Sequence, residues 1–430
     1  MTCFSCYHVR MLMPYEYVTD KTKIIKRIFQ DHWDEFLSHH KDKIPKEMQS
    51  SVIDAVSKML ICGTKKMGYA VYVCTNCHQH PEKIVFFTCK SRFCTSCGKV
   101  YVDNWVKKMT SEILDKPHRH LVFTIPEQLR AKIYWYRDLL KVLSDIAAKV
   151  VMVNTQDLTA GIITVVHTFG RNLSFNPHVH LLITEGGLDD NGKWLGIYFL
   201  PYSKLRKQWQ YYLLTELKKC LPRTKDLSHL IDMLFIDYPK GFYVNAESKM
   251  DDAQKAAKYV GRYIARPAIA ESRIQSYDTE TVTFTYEDHQ TGEAKSETLP
   301  VLQFIGRLIM HIPKKGYQMV KRYGLYARHI KPIFTKALEL IRKAKQLLFS
   351  FSPTRDTWRQ RIINRFQTDP LLCPVCGAEM ELWLIWHPKY GVLYDIITDS
   401  QSIIDYEKEQ KEQNQTEEAQ LYLPSHPVWL

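Results

Sequence analysis

No stretch of the chain approaches the ~18 consecutive apolar residues that a membrane span needs. The opening, MTCFSCYHVRMLMPYEYVTDK, lacks both a continuous hydrophobic core and a cleavage-site pattern, so a cytosolic protein without a secretory leader is expected. The eleven cysteines are an odd number and cannot all pair in a disulfide framework. In a large cytosolic chain they point to metal binding or buried thiols. The pattern G-x4-G-K-[ST] does not occur, which removes the P-loop as a source of ATP chemistry. Acidic residues nearly vanish between Val301 and Arg365, where fifteen Lys and Arg face only Glu339 and Asp356. That one segment carries an excess equal to the formal net charge of the whole chain, +13.

The basic segment is patterned. In KKGYQMVKRYGLYARHIK, Lys314, Lys315, Lys321, Arg322 and Arg328 interleave with Tyr317, Tyr323 and Tyr326. Such cations neutralise phosphates and such rings stack on bases. A merely solvated surface mixes charge signs, which this one does not, so nucleic-acid binding is expected. The acidic tail, DYEKEQKEQNQTEEAQ, reads as a solvated or frayed end. The length allows two or three domains with proper cores.

The cysteines fall into knuckles. VCTNCHQHPEKIVFFTCKSRFCTSCGK holds Cys74-x2-Cys77, then Cys89, then Cys94-x2-Cys97. Two C-x2-C turns at this separation suit one tetrahedral structural zinc, with Cys89, His78 and His80 as spare donors. Lys90 and Arg92, inside CKSRFC, would meet phosphates while the metal holds the loop. Cys373-x2-Cys376 resembles half of a second zinc site, to be completed by His387 or by Cys3-x2-Cys6, neither of which the sequence decides.

FNPHVHLLITEGG places His178 and His180 either side of Val179 at the start of an apolar run. In a strand, both imidazoles point to one face and Val179 to the other. A pair so placed chelates one ion if a third ligand faces it. The bland alternative is two histidines on the polar face of a half-buried strand. GIITVVHTFG reads as the antiparallel partner strand, RNLSFNP as the turn between them, and His167 as the third ligand within cross-strand reach. HRHLVFTIPEQLR reads as a strand ending at Pro126 and leading into a helix; its own H-x-H, His118 and His120, begins the strand with no convergent ligands in the sequence. Downstream, Tyr259 and Tyr263 stand at i and i+4 of a helix, among Lys255, Lys258, Arg262 and Arg266. Tyrosines so spaced more often fill a core; these sit on a cationic stretch.

H-hydrophobic-H followed by a helix with Y-x3-Y resembles the two-tyrosine HUH endonucleases. FNPHVHLLITEGG, YVGRYIARPAIAESRI and CKSRFCTSCG together resemble the IS-ninety-one family of rolling-circle insertion-sequence transposases, over roughly Lys21 to Lys331. The resemblance implies an α+β fold: an HUH-type nuclease core with a central antiparallel sheet and flanking helices, an N-terminal zinc-binding module and a basic, mainly helical C-terminal region. The boundaries expected are a tail over 1–20, the zinc-binding module over 21–115, the nuclease core over 116–275, the basic extension over 276–365 and a last segment over 366–430. It implies a magnesium or manganese ion on His178, His180 and His167 or a carboxamide, structural zinc, and Tyr259 or Tyr263 as the nucleophile. It also implies single-stranded and duplex DNA at transposon ends as partners, a host helicase for unwinding, and association with the nucleoid. Rival readings are a plasmid replication initiator or relaxase with the same nicking core, and a non-catalytic zinc-dependent DNA-binding protein.

Overall fold

The computed structural model describes residues 23–197, 199–250, 255, 261, 268–288, 291–330, 332, 334–336 and 357–399. They fall into two compact units. One combines residues 61–89 with the described residues after 356, and the other holds the rest.

In chain order, α1 (Ile24–His40), α2 (Lys46–Ile61), β1 (Tyr69–Val73), β2 (Glu82–Phe86) and α3 (Thr95–Glu112) precede β3 (His118–Thr124). Helices α4 (Glu127–Trp135) and α5 (Leu139–Met152) lead to β4 (Thr159–Phe169), β5 (Phe175–Leu188) and β6 (Trp194–Gly196). Next come α6 (Tyr202–Cys220), α7 (Lys225–Asp237), β7 (Val244–Met250), β8 (Ile274–Tyr277), β9 (Thr281–Glu287) and β10 (Ala294–Pro300). A helix over Val301–Ile309, β11 (Val320–Gly324), a helix over Trp358–Phe366, β12 (Glu381–His387) and β13 (Gly391–Asp395) complete the described elements.

The larger unit is built on an antiparallel sheet in the order β11-β4-β5-β3-β7, with β6 pairing β5. β4 and β5 are buried along nearly their whole length, because both faces are covered; this is why GIITVVH and HLLI read as unbroken apolar runs rather than as alternating ones. One face packs Leu121, Phe123, Val166, Val179, Leu181 and Ile183 against helices α4 to α7. α5 and α6 present Leu143, Ala147, Val150, Leu205, Trp209 and Leu213 at helical spacing to that face. The other face packs Ile163, Val165 and Leu182 against Met109 of α3, Ile113 just after it, and Tyr326. The expected α+β core with a central antiparallel sheet and flanking helices is therefore present.

Among its described residues, the basic segment contains a strand as well as helix. After the helix Val301–Ile309 it becomes β11, an edge strand pairing with β4 from Val320↔Val165 to Gly324↔Gly161. Its tyrosines are part of the core. Tyr317 is buried and its hydroxyl donates to Leu140 O at 3.1 Å; Tyr326 is buried with its hydroxyl 2.7 Å from His118 Nε2. Tyr323 donates to Asp145 at 2.7 Å. Tyr323 lies in β11, and Tyr317 and Tyr326 flank that strand; the three rings pack against the two faces of the sheet instead of offering faces to bases.

The smaller unit is a four-stranded antiparallel sheet in the order β13-β12-β1-β2. Strands that lie some 300 positions apart in the chain are direct neighbours in it: Tyr69 pairs with Trp386 and Val73 with Glu381. Thr75 donates to Glu381 at 2.9 Å and Lys83 to the carbonyl of Pro370 at 2.5 Å, so the joint is held by side chains as well as by the ladder.

Candidate functional site

Three histidines meet at the centre of the larger sheet. His178 and His180 point to the face of β5 opposite Val179, as a period of two requires. His167 of β4 pairs directly with His178 across the ladder. Candidate ligand nitrogens of His167, His178 and His180 all lie within 4.8 Å of one another. Their ring centroids are 5.4 Å (His167–His178), 4.9 Å (His167–His180) and 4.8 Å (His178–His180) apart.

The hydrogen bonds orient two of these rings. His178 Nδ1 lies 2.7 Å from the carbonyl of Asn176, an acceptor, so that nitrogen carries the proton and Nε2 keeps its lone pair. His180 Nδ1 lies 2.9 Å from His120 Nε2, and the two rings stack with centroids 5.1 Å apart and planes at 12°. With the His180 proton on Nδ1, its Nε2 is likewise a ligand. Sequence reading set the His118–His120 pair aside. The strand pairing brings His120 to the site, because β3 lies beside β5 and His120 shares the histidine face of the sheet. A second H-x-H at the start of an apolar run was the one signal available.

Charge state suits metal binding. Burial, opposed by the Asn176 hydrogen bond and assisted by Arg130 and His120, lowers the His178 pKa from its ordinary value. Burial, with repulsion from His167, His178 and His120, takes His180 well below it. Both imidazoles are therefore neutral near pH 7, the form that coordinates a cation. Three imidazole nitrogens suit one borderline divalent ion with positions left for phosphate oxygens.

The same burial makes the fold acid-labile. His311, half-buried, accepts from Thr168 Oγ1 (3.1 Å) through Nδ1 and donates to Leu173 O (3.0 Å), and desolvation holds its pKa at about 3. The unfolded chain protonates first as pH falls through about 6.5, so stability is complete above that value and is lost progressively below it. At pH 5 His311 alone should cost about 2 kcal/mol. Urea midpoints at pH 7.5 and 5.0 check this; equal midpoints contradict it, and His311→Gln should narrow the gap.

The cysteines are partitioned differently from the sequence reading. Cys74 and Cys77, expected to share one ion with Cys94 and Cys97, are joined in the smaller unit by Cys373 and Cys376: the four sulfurs lie within 4.8 Å of one another. Cys62 and Cys89 also meet in that unit, the Cys89 N–H donating to Cys62 Sγ at 3.3 Å. Cys94 and Cys97 belong to the larger unit, where they are buried and open α3. Of the spare donors, His80 spends Nδ1 on the Cys74 carbonyl at 3.0 Å, and His78 is exposed.

The expected DNA-binding cations divide in the same way. Lys314 pairs with Glu47 (2.9 Å) and Asp138 (3.1 Å), Lys321 with Asp145 (2.8 Å) and Arg322 with Glu112 (2.6 Å). Arg92 lies 5.2 Å over the Tyr101 ring and reaches the Tyr317 carbonyl at 3.5 Å. Lys90, Lys315 and Arg328 are exposed. Tyr259, Arg262 and Tyr263 lie outside the described residues. Lys255 and Gly261 of the same stretch are helical. Gly261 is buried so close to α3 that a Cβ there would come within 2.1 Å of Val106 Cγ2, which makes glycine the residue that fits.

Comparison with known proteins bears on this arrangement. A family described as "Transposase zinc-binding domain" matches residues 28–125, and one described as "Putative transposase" matches residues 161–332. The transposase for insertion sequence element IS801 of Pseudomonas savastanoi pv. phaseolicola is 32% identical over 344 residues, 76% of this chain and 82% of that one. The chain belongs to the IS-ninety-one family of transposases. The putative transposase y4qJ of Sinorhizobium fredii (strain NBRC 101917 / NGR234) is 27% identical over 287 residues, 61% of this chain and 71% of its own. No solved structure matches the chain. In this transposase, His167, His178, His180, Tyr259 and Tyr263 all fall inside the transposase match, whereas Cys373 and Cys376 fall beyond both matches.

Proposed function

We propose that this transposase is an HUH-type single-strand DNA endonuclease and strand transferase that works through five-prime phosphotyrosine intermediates in rolling-circle transposition. The observation that carries the reading is the cluster of His167, His178 and His180, convergent on one face of the central sheet, with the His178 and His180 imidazoles held neutral near pH 7. A phenol has a reference pKa of about 10 and is a poor nucleophile near neutral pH. A magnesium or manganese ion, when bound by the three imidazoles, would supply Lewis-acid polarisation of the scissile phosphate. The residues of the chain do the rest. The Asn176 carbonyl holds the His178 tautomer, and His120 orients the His180 ring, so the imidazoles need little reorganisation. Tyr259 or Tyr263 forms the oxygen–phosphorus bond; the three-prime oxygen leaves with the electron pair and takes up a proton, conserving the phosphoester. Transfer to a second three-prime hydroxyl reverses the step without ATP. Two tyrosines allow two covalent strand ends, or two successive attacks. Unwinding falls to a host helicase, because the chain has no P-loop.

Incubation with single-stranded oligonucleotides from the transposon ends and manganese tests the reading. A metal-dependent adduct that survives SDS supports it. Binding without cleavage or adduct supports instead a zinc-dependent DNA-binding protein.

For affinity, the exposed cations should matter more than the paired ones. At about −0.7 in log K against log salt per single-strand phosphate contact, Lys315→Ala with Arg328→Ala should flatten the slope by about 1.4. Lys321→Ala should change the slope little and lower stability by freeing Asp145 and Tyr323. The reverse pattern in salt titrations would place the DNA against the Lys321 face.

A further inference from the structure

We propose that Cys74, Cys77, Cys373 and Cys376 form a tetrathiolate zinc site of their own, which clasps the β12–β13 hairpin to the β1–β2 hairpin. The site lies outside the histidine cluster and is independent of the nuclease reading. Its chemistry follows from spacing. Zinc bound tetrahedrally at about 2.3 Å from each sulfur requires sulfurs about 3.8 Å apart. Across the two knuckles, Cys74 Sγ lies 3.5 Å from Cys376 Sγ, and Cys77 Sγ lies 3.9 Å from Cys373 Sγ. Both separations are far beyond the ~2.05 Å of a disulfide.

Each knuckle is shaped by its backbone. In one, Cys74 N–H donates to Pro81 O (3.1 Å) and His80 N–H to Cys77 O (3.2 Å). In the other, Cys373 N–H donates to Ala378 O (2.8 Å) and Gly377 N–H to Cys373 O (2.9 Å), with Gly377 at φ 74°, where glycine is unstrained. Val375 N–H points at Cys373 Sγ (3.4 Å), the N–H···S contact that favours a thiolate. Met380 and Tyr72 wall the cluster, and the strand register Val73↔Glu381 delivers both turns to the same end of the sheet. Four soft thiolates with no carboxylate or imidazole among them select zinc over magnesium or manganese. Because the ligands are some 300 residues apart, the ion also closes a very long loop, so the attachment of the C-terminal hairpin depends on metal.

Metal analysis of the full chain tests this. Cys373→Ser with Cys376→Ser should lose one zinc equivalent relative to the unaltered protein. An unchanged zinc content overturns the proposal. Cys376 is exposed, so Cys376→His offers a variant that should fold. After cobalt substitution, Cys376→His should keep the metal count while the ligand-field bands move from those of a four-sulfur site toward those of three sulfurs and one nitrogen. Bands identical to the parent's would exclude Cys376 as a ligand. An iron–sulfur chromophore in the isolated protein, in place of zinc, would overturn the choice of metal.

Discussion

His178→Ala or His180→Ala is expected to lower strand cleavage by about three orders of magnitude while leaving DNA binding largely intact. Each change deletes one nitrogen from a set of three that share one face of the sheet, and no sheet hydrogen bond is lost. The loss of Lewis-acid stabilisation is worth several kcal/mol in the transition state, and each 1.36 kcal/mol is tenfold in rate. Phosphate contacts elsewhere on the chain are untouched, so affinity in a gel-shift or anisotropy titration should change little. Raised manganese should restore part of the activity in the single variants, because the first consequence of a lost imidazole is weaker metal binding. His120→Ala should act through its neighbour: metal affinity should fall by about 10- to 100-fold, with maximal cleavage recovered at saturating manganese. Cleavage by His178→Ala at the parent rate across all manganese concentrations would remove the cluster from the mechanism.

Tyr259→Phe with Tyr263→Phe should abolish the covalent protein–DNA adduct entirely while metal binding and DNA binding persist. Each change removes one oxygen and leaves the ring, so a pair that only filled a core would tolerate both with cleavage nearly unchanged. A pair of nucleophiles would not. Each single variant should still nick but should fail to complete strand transfer, since one of two attachments is missing. Denaturing gels report the adduct, and mass spectrometry locates the modified residue. An adduct that persists in the double variant, on any other side chain, would reject both tyrosines.

Much of the core is written locally. Local patterns placed β3, β4, β5 and the helical stretch between β3 and β4, because local spacing decides which side of an element is apolar. The H-x-H on β5 could be found as a motif, since strand geometry orders neighbours within one element. His167 was within reach too: a five-residue turn over 170–174 makes β4 and β5 a hairpin and aligns His167 with His178.

Contacts between distant segments were decided only by the fold. His120 joins the histidine cluster because β3 inserts between β5 and β7, an order no local pattern encodes. Cys74 and Cys77 meet Cys373 and Cys376, not the nearer knuckle, because β1 pairs with β12. A C-x2-C turn specifies two ligands of a site and carries no information on which other turn supplies the remaining two. The basic stretch after Val301 offered cations and rings in alternation; only the tertiary fold, with β11 paired to β4, packs Tyr317 and Tyr326 into the core on either side of that strand and sets Lys321 against Asp145. Residue types and local spacing thus determined which chemistry this transposase carries. Long-range strand order determined which of those residues stand together, because a hydrogen-bonded ladder brings side chains within a few ångströms of each other whatever their separation in the chain.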